Sequence, residues 1–387
     1  MGISAQTATF TRFFVPEPKA EDFWNFFDEQ LRAGAFVELA GDQEAASGFC
    51  SFDDLFDSTF AYGAYRKGEY AAFHFRSDQR KVPSIILKQY VRQAVEKYRT
   101  ENGRWPARPE KQNIREEVQL QLLARALPHP GGCEIVWNPG KQWLLAGTAG
   151  GKTLDLFLEH FEKYFKLYPL PLYHVHWALN MLPLTGRQKD TLDSMVSVNS
   201  PTAMAEGRFL GFDFLTWLWF FIEQGTDGGS IQIGEKTAAL HLGERVVLVM
   251  QGEGRERVVC TTQANALHEA RTALRQGKVV EELQVFIMAG ENEYLLTLDS
   301  GLWALKGLKT PKQLPNYSED DPDGRFFEKM FFLEEVFAVL DALYLKFLGE
   351  RLDPGWESDT LPLIKNWIAG KPEDPRARSA TGSKPPF

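Results

Sequence analysis

VPSIILKQYVRQAVEKYRTENGRWPARPEKQNIREEVQLQLLARALP, residues 82–128, is the stretch whose reading decides the fold. Pro83-Ser84 is a helix start signal, and Leu87, Val91, Ala94, Val95 and Tyr98 then recur at helical spacing. Lys88, Arg92 and Arg99 stand at i, i+4 and i+11, which places them along the opposite side. The link Asn102-Gly103-Arg104-Trp105-Pro106 breaks that helix. A second helix is expected from about Asn113, with Ile114, Val118, Leu122 and Leu123 as its apolar stripe. Two antiparallel helices joined by a basic loop make a protruding arm.

The charge of this stretch sets it apart. From Phe75 to Pro128 there are twelve Lys/Arg and six Asp/Glu, a balance of +6, whereas the whole chain carries −9 and the remainder therefore −15. Segregation of that kind creates a local field that an even mixture would cancel, and an anionic polymer is the obvious partner. Any nucleic-acid binding must be confined to a face or a hole, because the rest of the surface is acidic. A docking site for an acidic protein is the competing reading of the same residues, and a solvated helix face is the plainest one.

A length of 387 residues with 44% hydrophobic and 25% charged residues describes an ordinary globular chain of two or three domains. Cys50, Cys133 and Cys260 are odd in number and widely spaced, forming neither a disulfide framework nor a zinc pattern, which fits a reducing cytoplasm. The N-terminus shows no signal peptide. The most apolar run, Phe209–Ile222, is too short to span a bilayer and reads as a buried helix or strand pair. No membrane association is expected.

Around the arm the pattern alternates between strands and helices. Strands are expected at 8–15, 35–39, 70–76, 133–138 and 142–146, the last two joined as a hairpin through Asn138-Pro139-Gly140. Amphipathic helices are expected at 20–33 and 152–166. Residues 173–277 are less regular, with strand-like pieces at 244–250 and 255–261 and a helix at 265–276. A sheet piece at 278–298 precedes an apolar helix at 326–348, and the tail from Lys371 is expected to be disordered. The fold class is α+β: mixed or antiparallel sheets with flanking helices and the protruding arm. Four parts are expected: a central domain (1–75 with 129–172 and 278–352), the arm (76–128), a second α+β domain (173–277) and a C-terminal extension (353–387).

Chemical motifs are scarce. LLAGTAGGKT (144–153) misses the phosphate-loop pattern because Ala146 stands where the first glycine belongs, so it reads as a glycine-rich turn into a helix. His174 and His176, read as two residues of a strand, lack a third metal ligand. The acidic loop Ser318–Gly324 lacks calcium-loop spacing and reads as a solvated turn. Neither a catalytic constellation, a metal site nor a cofactor is expected, and the reading is of a non-enzyme.

The stretch 82–128 resembles the corresponding part of RdgC, the bacterial recombination-associated family. The resemblance lies in Pro83-Ser84, Lys88, the long helix and basic hinge, Glu110-Lys111, Glu117-Val118, Leu122-Leu123-x-Arg125-Ala126 and a following hairpin with Trp137. Gly277-Lys278-Val279-Val280 and Arg325-Phe326 are also similar, and Phe10–Phe36 fits more loosely. The resemblance implies curved monomers that pair at both ends into a dimeric ring. That ring would encircle double-stranded DNA without sequence preference and limit access of the RecA recombinase, in the cytoplasm on the nucleoid. The family's arm arginines fall on Arg104 and Arg125, its arm-tip pairing residue on Leu127, and its basic finger near Thr262-Gln263, where the lysine is lost. Lys88, Arg92, Arg99, Arg104, Arg108, Lys111, Arg115, Arg125 and Gln263 are the candidate DNA contacts and Leu127 the candidate dimer contact. Extra sequence around 199–254 and after Leu352 has no counterpart in the relative compared.

Overall fold

The computed structural model describes residues 2–18, 22–40, 43–198, 208–225, 228–250, 256–261, 268–311 and 321–370. The chain divides into two compact units, 15–169 and 1–14 with 170–387. Residues 173–277 and 278–352, assigned to different parts on sequence grounds, thus fall in one unit. The class is α+β, and the strand ladders within each unit are antiparallel.

The chain opens with strand β1 (Thr7–Phe14), which belongs to the second unit. The 15–169 unit follows with α1 (Phe23–Ala33), β2 (Ala45–Ser51), β3 (Arg66–Lys67), β4 (Tyr70–Gln79), α2 (Ser84–Asn102), α3 (Arg108–Arg125), β5 (Gly132–Asn138), β6 (Trp143–Ala146) and α4 (Gly151–Phe165). Its sheet runs β6-β5-β4-β2, with β3 added to β4. Asp22 starts α1 by accepting the N–H groups of Trp24 and Asn25 at 3.0 and 3.2 Å. The buried faces of α1 and α4 meet the sheet in a cluster of rings. Phe161 and Phe165 stack at 4.4 Å, Phe27 lies 5.3 Å from Phe165, and Trp137 meets Phe161 edge-on at 5.5 Å.

The strand expected at 35–39 is not formed. Ala35 makes a lone bridge to Phe49, and the strand that joins the sheet is β2, at 45–51. The reason is local: Phe36 donates its N–H to the Phe49 carbonyl, and Val37 then turns outward, 75% exposed. Gly48 permits the crossing, because a Cβ there would stand 2.4 Å from the Phe36 Cα. Farther along β4, Arg76 and Asp78 form a buried bidentate pair at 2.8 and 2.7 Å. The Phe36 and Phe56 rings lie 4.1 and 4.7 Å from the guanidinium carbon. Arg76 is therefore a core residue and does not belong to the arm.

The Gly-rich stretch 144–153 is a turn into a helix, as its sequence suggests: β6 ends at Ala146, Thr148 accepts the Gly150 N–H at 3.0 Å, and α4 begins at Gly151. Cys50, Cys133 and Cys260 are buried free thiols, and burial pushes Cys133 up to about 12.

The second unit contains β7 (Leu170–Pro171), α5 (His174–Met181), α6 (Gly186–Val198), α7 (Arg208–Gln224), β8 (Ser230–Ile233), β9 (Lys236–Val249) and β10 (Arg257–Thr261). It continues with α8 (His268–Arg275), β11 (Val279–Ala289), β12 (Asn292–Asp299), β13 (Ala304–Lys309), α9 (Pro322–Arg351) and α10 (Leu361–Ala369). The sheet order is β10-β9-β11-β12-β13-β1, with β8 on β9 and β7 on β1. The apolar run 209–222 is one buried helix, α7. It packs on α9, where Phe214 and Trp217 lie 5.5 and 5.6 Å from Phe347. Trp177 stacks on Tyr344 at 4.0 Å, and its indole N–H donates to Asp341, which also holds Arg12 at 3.0 Å.

His174 and His176 lie on a helix rather than a strand, so an i, i+2 spacing turns their rings about 200° apart. Asp321, read as part of a solvated turn, is the N-cap of α9 and accepts the Gly324 N–H at 2.8 Å; residues 318–320 lie outside the described residues. At the other end of the chain, α10 lies within the segment read only as an extension. Its Trp367 donates to Glu223, which also accepts from Trp219 and Arg271. The tail from Lys371 lies outside the described residues.

Candidate nucleic-acid interface

The arm is a helical hairpin whose ends are set by local chemistry. Pro83 precedes α2 with φ −57°, and Gly103 ends it in the left-handed region, φ 66°, its N–H returning to the Arg99 carbonyl at 2.9 Å. Helix α3 starts at Arg108, five residues before the expected Asn113. The overlooked signal is Pro109-Glu110: proline suits the first turn, and the Glu110 carboxylate accepts the Ala107 N–H at 2.7 Å. Only Val95, Val118 and Leu123 are buried along the two helices. So thin a seam leaves most of both helices in solvent. Ile85, Ile86, Tyr90, Leu120 and Leu127 are exposed, Leu127 at 81%.

The candidate cations divide into two groups. Lys88, Arg92, Arg108, Lys111, Arg115 and Arg125 are exposed, and their side chains form no hydrogen bond or ion pair with described residues. Arg108, Lys111 and Arg115, spaced i, i+3 and i+7, follow one face of α3 along a shallow groove of about 480 Å³ that Val91 of α2 also lines. The row extends about 10 Å along the helix axis. Lys88 and Arg92 share a face of α2. Arg125, in the last turn of α3, sits where the helix dipole favours a cation.

Arg99 and Arg104 are already engaged. The Arg99 guanidinium lies 4.5 Å from the Trp105 ring centre and 3.8 Å from Glu96. Arg104 grips Glu110 through two 2.7 Å hydrogen bonds and lies 5.6 Å from the Tyr98 ring centre. The Tyr98 hydroxyl donates to the same carboxylate at 2.6 Å. Arg104, Tyr98 and the Ala107 N–H together lower the Glu110 carboxyl from 4.5 to about 2. Sequence reasoning missed this clamp because it joins residues six apart across a turn, a spacing outside helical periodicity. Gln263 lies outside the described residues.

A surface of this kind can hold phosphate oxygens with Lys and Arg heads and position a polyanion without reading its bases. The sequence that carries it resembles that of known proteins. Residues 17–181, which include the whole hairpin, match a family model described as "Putative exonuclease, RdgC". Over those residues the chain is similar to the RdgC family. A protein named Recombination-associated protein RdgC, from Dechloromonas aromatica, is 24% identical over 155 residues, 39% of this chain and 49% of that relative. The match thus spans about half the relative's length. The two descriptions of RdgC differ on enzymatic activity. Among the described residues, no group of three or more His, Cys, Asp or Glu is placed to hold a metal ion, and no helix is long and apolar enough to cross a membrane.

Proposed function

We propose that this RdgC-type protein is a non-enzymatic, sequence-nonspecific double-stranded DNA-binding protein whose contacts lie on the α2–α3 hairpin. The observation that carries the reading is the Arg108–Lys111–Arg115 row, exposed and without hydrogen-bond or ion-pair partners among the described residues, with Lys88, Arg92 and Arg125 in the same condition. A duplex carries one phosphate charge per about 1.7 Å of its axis, so a row about 10 Å long faces several phosphates at once. We further propose that two copies pair, with Leu127 in the contact, into a ring around DNA. Such a ring would sit on the nucleoid and restrict a RecA-type recombinase during homologous recombination. An acidic protein is compatible with this, because only the inner wall of a ring need be basic.

The test is binding to two duplexes of unrelated sequence. Equal affinity, lost to the same degree on both when Arg108, Lys111 and Arg115 are changed to Ala, supports the reading. Affinity for one sequence only contradicts it. Incubation of labelled duplex with Mg²⁺ addresses the name of the family model: metal-dependent loss of nucleotides would replace the non-enzymatic reading with that of a nuclease.

A second reading draws on the exposed Ile85, Ile86, Tyr90 and Leu120 beside the cations. Apolar and basic groups together also suit an acidic protein partner, such as a recombination protein. Capture of such a partner by a chain that fails to bind duplex would favour it.

A further inference from the structure

Trp105 stands at the turn of the hairpin with 55% of its surface exposed, although the chain has a core able to bury such a ring. Its position is fixed from several sides. Pro106 restricts the backbone of Trp105 to extended conformations, and Gly103 turns the chain just before it at φ 66°. The Arg104–Glu110 clamp ties the turn to the start of α3. The Arg99 guanidinium rests 4.5 Å from the ring centre, a cation against the π-face. Between residues 97 and 115 the tip carries six cations and two carboxylates. A rigid, half-exposed indole backed by arginine in a positive field has the features of a stacking platform for a nucleobase.

Building on the DNA binding proposed above, we propose that Trp105 stacks against an unpaired base, so that the hairpin tip favours DNA with a single-stranded or flipped-out nucleotide over fully paired duplex. A base inside a duplex has both faces covered and gives the indole nothing to stack on. An unpaired base supplies a π-face, while the neighbouring cations hold its phosphate.

The test compares the full chain on a blunt duplex, the same duplex with one unpaired central thymine, and the same duplex with a single-stranded overhang. The expected result is roughly tenfold tighter binding to the two interrupted substrates, a preference removed by Trp105→Ala and partly kept by Trp105→Phe. Equal affinity for all three DNAs overturns the stacking proposal and leaves duplex binding intact. Failure to bind any DNA removes both. Loss of dimers in Trp105→Ala with an unchanged preference would assign the ring to a contact between copies.

A separate observation carries a second, smaller inference. His174 is fully buried with its Nε2 bonded to the Asp299 carbonyl at 3.2 Å; a carbonyl only accepts, so Nε2 carries the proton and Nδ1 is an acceptor. Among the described residues Nδ1 has no hydrogen-bond partner, and neither has the buried indole N–H of Trp303. Both side chains line one cavity of about 10 Å³, close to the room one water needs. The geometry points to a structural water that accepts from Trp303 and donates to His174. A crystal structure at about 1.5 Å should show it within about 3.2 Å of both nitrogens, and Trp303→Phe should lose it. An empty cavity, or a water touching only one nitrogen, overturns the assignment.

Discussion

Arg104 and Glu110 lock the tip of the basic hairpin, with two 2.7 Å hydrogen bonds between guanidinium and carboxylate, while the same carboxylate caps α3 at Ala107. One of the two residues onto which the family's arm arginines fall is therefore held by its own chain. Any phosphate that recruits Arg104 must compete with Glu110. Glu110→Gln keeps an oxygen for the cap and removes the charge that holds Arg104. The expected outcome is a duplex-binding salt slope steeper by about one unit than that of the unmodified chain, measured by anisotropy titrations across salt. An unchanged slope would mean that Arg104 does not reach DNA.

The same carboxyl sets an acid limit for the tip. Its folded value, about 2, lies below its ordinary value of 4.5. The stabilisation it gives is therefore fully present above pH 4.5 and is lost as pH falls through 2. Protection of the Ala107 amide against hydrogen exchange should decline across that window. Decline above pH 5 would contradict the assignment.

The buried Arg76–Asp78 pair should behave as a structural unit. Asp78→Asn leaves the guanidinium with Glu38, at 3.8 Å, as its remaining carboxylate partner among the described residues. Breaking one side of a buried pair costs about 3–5 kcal/mol, which chemical denaturation would register. Duplex affinity of the folded variant should be unaffected, since Arg76 lies in the sheet.

Gly48→Ala tests the crossing that removes 35–39 from the sheet. The added Cβ would meet the Phe36 Cα at 2.4 Å and backbone must shift. A loss of about 1–3 kcal/mol in stability is expected, read from the denaturation midpoint. A neutral result would mean that the segment slides freely.

The hairpin was legible because its signals are local: Pro83, Gly103 and a 3.6-residue apolar period on both sides of the break. The early start of α3 was hidden because Arg108-Pro109-Glu110 is polar and carries no apolar period, though proline followed by Glu is itself a start signal. Tyr173–Trp177 alternates like a strand, yet His174, Val175 and Trp177 are all buried, so tertiary packing removes the polar face that would have revealed a helix. The free cations were legible as a charge excess. Which of them are free was not, because Arg104–Glu110 and Arg99–Trp105 are contacts made by the turn and not by periodicity.

The most direct test of the central claim is the dependence of duplex affinity on salt. With about six phosphates neutralised by the hairpin, log K should fall against log salt with a slope near −5, and replacing Arg108, Lys111 and Arg115 by Ala should reduce that slope by nearly 3. A flat salt dependence, or no duplex binding even at low salt, would contradict the account.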